Sequence, residues 1–271
     1  MAIDFCKFHG TGNDFILIDD RLQSLIMDPS LIEKLVRGWC DRHLGIGADG
    51  VIFLRDSPEG DFEMVFYNPD GKPGSMCGNG GRCAVAFAER LGMIHEQTSF
   101  VAVDGKHRAT IEAKNAHLWE ISLSLNAPSR PVMEREYFLV NTGSPHLVVF
   151  TKNLEKLAVE TEGRLIRNSD PYIREGINVN FVEFLDPDTL FVRTFERGVE
   201  GETLSCGTGV TAAAIAAAEY QGRKQATAFD IRTPGGELRV SFIHPSPPRE
   251  AYPEVWLRGP ARLVYTGQIP H

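Results

Sequence analysis

The sequence has few cysteines and no long apolar run. Only five cysteines occur among 271 residues, none of them in a CxxC pair, and the histidines are not clustered at metal-ligand spacing. A disulfide framework or a structural zinc site is therefore not expected, and a reducing cytoplasm is the default location. No stretch of about 18 apolar residues predicts a membrane span, and the N-terminus shows no secretory signal.

Positive charge is also in short supply. The formal net charge is −8 at pH 7, which argues against a surface that binds nucleic acid. No Walker sequence is present, and the spacing of the Gly-Asn-Gly-Gly turn at 78–81 does not fit the GxGxxG fingerprint. No nucleotide cofactor is therefore indicated. The length allows one or two domains with a sizeable core.

One short pattern occurs twice: a cysteine, a glycine-rich turn and a run of small apolar residues. The copies are MCGNGGRCAVAFA at 76–88 and SCGTGVTAAAIAAA at 205–218. Glycine permits a tight turn, and the alanine run predicts a buried helix. A cysteine at the positive end of such a helix has a stabilised thiolate, and the neighbouring N–H groups can hold a carboxylate. Each copy therefore predicts half of an active site.

The duplication extends beyond this pattern. Gly12 and Gly143 lie 131 residues apart, and three further pairs recur in the same order at a spacing of 129 residues: Gly47 with Gly176, Phe66 with Phe195, and Cys77 with Cys206. Two similar domains of roughly 130 residues are therefore predicted, with a linker near 126–131. A pseudo-twofold arrangement would place Cys77 and Cys206 on opposite sides of one small substrate.

Local signals predict several elements. Asp28 and Pro29 are typical of a helix start, and Gly92 and Gly222 are expected to end the two alanine-rich helices. Further expectations are a single helix over 153–167, a hairpin around 104–105, a strand over 118–125, and a last strand over 257–265 that could pair with either domain.

Two equivalent acid/base groups on opposite faces of a carbon atom can invert its configuration. One thiolate removes a proton and one thiol returns a proton from the other side, so no cofactor is needed in principle. A redox sensor that uses the two cysteines, or a non-catalytic amino-acid-binding protein, would be alternatives. A binding protein, however, would not need a thiol on both faces.

Six motifs carry a resemblance to a known family over almost the whole chain. They are HGTGNDF at 9–15, GIGAD at 45–49, NPDG at 68–71, CGNG at 77–80, ERG at 196–198 and CGTG at 206–209. In this set the chain resembles the diaminopimelate epimerase family. Within the same superfamily, a proline or hydroxyproline racemase would be the alternative; such an enzyme binds a single carboxylate and needs no clamp for a distal end.

The resemblance implies a cofactor-independent cytoplasmic epimerase that interconverts LL- and meso-2,6-diaminopimelate in lysine and peptidoglycan-precursor synthesis. It implies an α+β fold of two pseudo-symmetric domains, each a mixed β-sheet coiled around a central helix, and a homodimer. The implied domains are 1–117 plus 259–271, which carries Cys77, and 118–258, which carries Cys206. No metal, nucleic acid or membrane partner is implied.

The resemblance also assigns roles to individual residues. Cys77 and Cys206 are the acid/base pair, and helix-end N–H groups hold the reacting carboxylate at Gly78, Asn79, Gly207 and Thr208. Glu196 lies beside the reacting amino group, whereas Arg197, Asn68 and Asn178 recognise the distal end; Asn13 belongs to the matching turn. Two positions depart from many members: Ser144 stands where asparagine is common, and Gly50 where some have glutamine. The remaining cysteines, Cys6, Cys40 and Cys83, are expected to be buried, and His146 to be structural.

Overall fold

The structure, a computed structural model, describes residues 2–22, 29–134, 136–246 and 251–270. The chain divides into two compact units: Met1–Leu123 with Gly259–His271 form unit 1, and Ser124–Arg258 form unit 2. The domain limits implied by the resemblance, with a boundary at 117/118, stay a prediction. No helix in the described part of the chain is long and apolar enough to cross a membrane.

The described residues form sixteen β-strands and five α-helices. Strands β1 to β16 span, in order, Ala2–Gly10, Asn13–Asp19, Val51–Arg55, Phe62–Tyr67, Gln97–Ala102, Gly105–Lys114, Leu118–Leu125, Val132–Glu134, Tyr137–Asn141, Pro145–Phe150, Asn178–Asp186, Thr189–Glu196, Gly201–Thr203, Thr227–Thr233, Gly236–Phe242 and Val255–Pro270. Helices α1 to α5 span Pro29–Cys40, Gly78–Arg90, Val159–Arg167, Tyr172–Glu175 and Gly207–Tyr220.

The two units repeat one order of strand pairing. In unit 1, β1 and β2 form a hairpin, β2 runs parallel to β3 after α1, β3 and β4 form a hairpin, and β4 runs parallel to β5 after α2. In unit 2, β9, β10, β11, β12 and β14 repeat these pairings, with α3 and α4 in the first crossover and α5 in the second. A further hairpin follows in each unit, β5–β6 and β14–β15. The predicted fold class is therefore confirmed.

In each unit, the strands pack around the second crossover helix. Every residue from Gly78 to Ala88 of α2 is buried, and in α5 the whole stretch from Gly209 to Ala218 is buried. Small side chains allow this close approach: a Cβ at Gly80 would lie 3.1 Å from the Ile52 Cδ1 atom. A helix that is apolar nearly all round is stable only when strands cover it on all sides, as they do here.

The predicted single helix over 153–167 is wrong. A 3-10 turn at Leu154–Lys156 is followed by an extended residue, Leu157, before α3 begins. Tertiary contacts explain the break, because the Arg193 guanidinium takes the Leu154 and Leu157 carbonyls across 2.9 and 3.0 Å. In a continuous helix those oxygens would accept N–H groups from the next turn.

Most other local predictions agree with the structure. The hairpin and the strand over 118–125 are present, and Gly92 and Gly222 adopt positive φ of 72° and 67° just beyond their helices. The predicted helix cap at Asp28 lies outside the described residues. The last strand, β16, pairs with β15 in its first part, Val255–Arg258, and with β1 over the stretch that ends at Pro270.

Candidate active site

Cys77 is the N-cap of α2. Its backbone is extended, with φ −115° and ψ 118°, and its carbonyl accepts the N–H of Gly81 across 2.7 Å. The N–H groups that precede Gly81 in the first turn, Gly78 to Gly80, have no carbonyl one turn earlier within the helix. The helix dipole adds positive character at this end. An anion beside Cys77, either its own thiolate or a substrate carboxylate, is therefore stabilised.

Asn13 contacts the Cys77 thiol from the start of β2. The thiol donates to Asn13 Oδ1 across 3.4 Å, and the Nδ2 of Asn79 lies at the same distance from that oxygen. A two-residue turn places Asn13, because Thr11 and Gly12 both adopt positive φ, 48° and 87°, as a tight hairpin requires. The structure thus brings three predicted site residues together in unit 1.

Four charged side chains lie behind Asn13. Asp49 Oδ2 accepts the Nδ2 of Asn13 across 2.7 Å, and Arg42 bridges Asp49 Oδ1 and Asp14 Oδ1 at 2.7 Å each. Lys7, which is buried, lies 2.6 Å from Asp14 Oδ2. Burial opposes ionisation of Asp14, but the hydrogen bonds from Arg42 and Lys7 outweigh it and lower the pKa of Asp14 to about 2. Asp14 is therefore ionised at neutral pH.

Arg82 is a site residue that the sequence reasoning missed. Its side chain is fully buried, and the guanidinium donates to Asn79 Oδ1 across 2.9 Å, to the Gly78 carbonyl across 3.2 Å and to the Pro260 carbonyl across 3.3 Å. Burial lowers the pKa of this group. A signal existed, since Arg82 is the one charged residue in the apolar pattern at 76–88. Arg82 holds the helix start that carries Cys77.

Cys206 occupies the matching position on α5. Its backbone is again extended, with φ −119° and ψ 110°, and its carbonyl accepts the N–H of Val210 across 2.9 Å. The Sγ atom lies 3.4 Å from the Thr208 hydroxyl. The Thr208 carbonyl in turn accepts a hydrogen bond from the Thr142 hydroxyl across 3.0 Å. This bond ties the first turn of α5 to the residue that follows β9. The first turn, from Gly207 onward, again offers N–H groups to an anion.

Two predicted ligands of the distal end, Asn178 and Arg197, are hydrogen-bonded to each other in unit 2, together with Ser144, a possible substrate contact. Asn178 donates through Nδ2 to the Ser144 hydroxyl across 3.0 Å and accepts the backbone N–H of Arg197 across 2.9 Å. The Arg197 side chain donates to the Glu175 carbonyl across 3.1 Å. Gly176 permits this approach, because a Cβ there would lie 2.5 Å from Arg197 Cδ.

Two further predicted residues have local partners. Glu196, which ends β12, accepts the Thr203 hydroxyl across 3.0 Å. Asn68 donates to the Pro73 carbonyl across 3.4 Å, and its own carbonyl accepts the N–H of Gly71 across 2.9 Å. These two bonds of Asn68 lie within its own turn, whereas Asn178 and Arg197 bond to each other.

His146 is fully buried in unit 2. The Asn180 amide lies 3.1 Å from its Nδ1 atom, while Nε2 has no hydrogen-bond partner among the described residues. Burial, reinforced by the positive charge of Arg197, lowers the pKa of His146 to about 3. The side chain is therefore neutral at physiological pH. Asn180 also accepts the Thr194 hydroxyl across 3.0 Å, so His146 belongs to a buried polar cluster.

Comparison with known proteins identifies the family. The sequence model of the diaminopimelate epimerase family matches residues 5–123 and 138–264. The chain belongs to this family. It is 46% identical to the diaminopimelate epimerase of Flavobacterium psychrophilum over 97% of this chain and 98% of the relative, and 42% identical to that of Chlorobaculum tepidum over 96% and 98%. The predicted isomerase function, diaminopimelate epimerase activity in lysine biosynthesis, is confirmed at the level of the family.

A solved structure shares the fold at low sequence identity. A hydroxyproline epimerase from Agrobacterium vitis, solved with bound trans-4-hydroxy-L-proline, superimposes with a TM-score of 0.73 at 16% identity, over 99% of this chain and 92% of the other. At this identity the likeness concerns the fold alone.

The Gly50 departure within the diaminopimelate epimerase family has a structural counterpart. A Cβ at Gly50 would lie 2.6 Å from the Tyr67 carbonyl oxygen and 2.3 Å from Phe66 Cε2. Strand β4 therefore fills the space that a glutamine side chain would need in this chain. The other cysteines, Cys6, Cys40 and Cys83, are buried as predicted. Burial raises the pKa of all three thiols, that of Cys40 to about 12.

Proposed function

We propose that this chain interconverts LL- and meso-2,6-diaminopimelate by moving the α-proton between Cys77 and Cys206, without a cofactor. One observation carries the proposal: each cysteine is the N-cap of the buried central helix in a unit of the same topology. Equivalent positions suit a reaction in which the two groups exchange roles, because the base of one direction is the acid of the other.

The two thiols conserve protons over one turnover. A thiolate on one side takes the α-proton and becomes a thiol, while the opposite thiol delivers its proton to the other face of the carbon and becomes a thiolate. The negative charge that develops is shared with the α-carboxylate. N–H groups at the helix starts, at Gly78 and Asn79 and at Gly207 and Thr208, would stabilise that charge.

The remaining predicted residues would select the substrate. Glu196 would accept a hydrogen bond from the reacting ammonium group. The Arg197 guanidinium would hold the distal carboxylate, since its planar fork matches two oxygens. Asn178, Ser144, Asn68 and Asn13 would add hydrogen bonds. The bond that joins Asn178 to Arg197 supports a shared role, because a ligand of one would be aligned by the other.

We further propose that the enzyme is a cytoplasmic homodimer and that it also serves peptidoglycan-precursor synthesis. We propose two functional domains: the first comprises residues 1–117 and 259–271, and the second comprises residues 118–258. Family membership supports the location, the dimer and the second pathway. The division of the chain into two compact units supports an organisation in two domains. Light scattering on the purified protein would give a mass near twice that of one chain; a monomer at micromolar concentration would contradict the dimer.

Deuterium incorporation tests the reaction. The purified, reduced protein is incubated with LL-diaminopimelate in D₂O without added cofactor. The products are separated by chiral chromatography, and their masses are measured by mass spectrometry. Meso product with one deuterium at the inverted carbon is the expected result. L-proline and trans-4-hydroxy-L-proline serve as matched controls with one carboxylate; turnover of these alone would contradict the proposal and favour a proline-type racemase.

Oxidation separates an epimerase from a redox sensor. The same assay is repeated with and without reductant. An epimerase that needs one thiol and one thiolate loses turnover when the cysteines are oxidised and regains it on reduction. Binding of diaminopimelate without inversion or deuterium uptake, under fresh reductant, would instead indicate a non-catalytic binding protein.

A further inference from the structure

We propose that Asp49 is a positioning residue that fixes the side-chain amide of Asn13, so that Asn13 presents its oxygen, and not its nitrogen, to the Cys77 thiol. The kinetic importance of this orientation rests on the proposed function, but the orientation itself does not. Asp49 lies in the GIGAD motif, to which the sequence reasoning assigned no role.

The orientation follows from the donor and acceptor chemistry of the contacts. An asparagine amide has an acceptor oxygen and a donor nitrogen that exchange places when the amide turns by 180°, whereas an ionised carboxylate only accepts. Asp49 Oδ2 lies 2.7 Å from Asn13 Nδ2, and this contact is favourable only if the nitrogen faces Asp49. The oxygen then faces Cys77 Sγ and Asn79 Nδ2, each at 3.4 Å, and both are donors.

Asp49 is itself held in place. Its backbone N–H donates to the Asp14 carbonyl across 2.8 Å, and its second carboxylate oxygen accepts Arg42 Nη2 across 2.7 Å. Asp14 returns a backbone N–H to Asp49 Oδ2 across 3.2 Å. The carboxylate therefore has little freedom to rotate.

The consequence concerns which form of Cys77 fits its surroundings. A thiol donates to Asn13 Oδ1, but a thiolate has no proton to donate and would face an oxygen. If the amide turned over, its NH₂ group would donate to the sulfur and stabilise a thiolate. Asp49 thus favours Cys77 as the proton donor when substrate is absent, and the two half-sites differ, because Cys206 lies beside the hydroxyl of Thr208, which can donate or accept.

Alkylation of the two cysteines tests the proposal without relying on turnover. Wild type and the Asp49→Asn variant are treated with iodoacetamide at pH 7, and mass spectrometry of the peptides gives a separate rate for each cysteine. An amide at position 49 has one acceptor oxygen, and the charged Arg42 competes for it, so the NH₂ group at position 49 turns toward Asn13. The Asn13 amide then turns over, and its own NH₂ group faces the Cys77 sulfur. We expect Cys77 to react about tenfold faster, while Cys206 in unit 2 keeps its rate and serves as an internal control.

A second substitution provides a rescue that general loosening would not produce. In the Arg42→Gln, Asp49→Asn double variant the competing cation is gone, so the amide oxygen at position 49 can accept from Asn13 again. The Cys77 rate should return to within about threefold of wild type. Arg42→Gln alone should leave the alkylation rate of Cys77 within about twofold of the wild-type rate. Arg82, the charged group next to Cys77 on α2, is unchanged in every variant.

Three results would overturn the proposal: an unchanged Cys77 rate in folded Asp49→Asn protein, an equal acceleration of Cys206, or a double variant as reactive as the single one. If Asp49→Asn does not fold, Asn13→Ala removes the same oxygen from Cys77 and should accelerate its alkylation; no acceleration would also overturn the proposal. Failure of the deuterium experiment would refute the epimerase mechanism and leave this result standing.

Discussion

The backbone N–H of Arg197 donates to the side-chain oxygen of Asn178 across 2.9 Å. This bond ties the residue that follows β12 to the first residue of β11. The Nδ2 atom of Asn178 is used as well, because it donates to the Ser144 hydroxyl and to the Pro145 carbonyl across 3.0 and 3.1 Å. The proposed clamp for the distal end is therefore a preorganised group rather than a set of independent side chains.

Removal of the Arg197 fork should weaken substrate binding. For Arg197→Ala we expect the KM for diaminopimelate to rise about 50-fold and kcat to change by less than about fivefold, since a bidentate carboxylate contact is lost far from the reacting carbon. Steady-state kinetics with both stereoisomers give the two parameters. Arg197→Lys is the matched control and should restore part of the affinity; an unchanged KM in Arg197→Ala would contradict distal recognition.

The two cysteines should be equally necessary. Cys77→Ala and Cys206→Ala should each lower epimerisation by at least about a thousandfold, because inversion needs a proton carrier on both faces. Cys83→Ala is the matched control on the same helix as Cys77, and its thiol is fully buried; it should keep kcat within about threefold. Near-normal turnover in either of the first two variants would require a single-base mechanism.

His146 should make stability depend on pH in a defined window. Its folded-state pKa is lowered to about 3 by burial, so between that value and its ordinary value the unfolded chain binds a proton that the folded chain does not. The contribution of neutral His146 to the free energy of unfolding is therefore fully present above about pH 6.5 and decreases as the pH is lowered. From pH 7 to pH 5, wild type should lose about 2 kcal/mol more than His146→Gln, which has no titratable group.

Urea unfolding of both proteins at the two pH values measures this difference. The subtraction removes contributions that the variants share, including those of the other histidines. Equal losses in wild type and His146→Gln would show that His146 is not held neutral in the folded protein.

Arg82 should matter more for stability than its place in an apolar helix suggests. Arg82→Met keeps most of the volume but removes the guanidinium donors from the oxygens of Asn79, Gly78 and Pro260. We therefore expect a loss of about 3 kcal/mol in the free energy of unfolding. The matched control is Arg37→Met on α1. The Arg37 side chain is 65% exposed, so this substitution should lower the free energy of unfolding by less than about 0.5 kcal/mol. Urea unfolding compares them, and equal losses would refute the structural role.

Local chemistry made much of the fold predictable. The glycine-rich turns, the alanine runs and the helix-ending glycines at 92 and 222 act within a few residues of themselves. The repeat spacing then indicated two units of one topology. By contrast, the helix over 153–167 could not be predicted correctly, because the residue that breaks it is Arg193, 36 positions beyond Leu157, and its guanidinium reaches those carbonyls only in the folded unit.

The site divides in the same way. Cysteines at helix starts, and the family to which they point, are properties of the sequence alone, because a cap and its helix are contiguous in the chain. The partners of those caps are not contiguous: Asp49 lies 36 positions from Asn13, and Asn13 lies 64 positions from Cys77. Strand pairing brings them within hydrogen-bond distance, and only there does a carboxylate determine which end of an amide faces a thiol. The sequence by itself thus determined the helix ends and the chemistry they offer, whereas the tertiary structure decided the hydrogen-bond partners, because such bonds depend on distance in space and not along the chain.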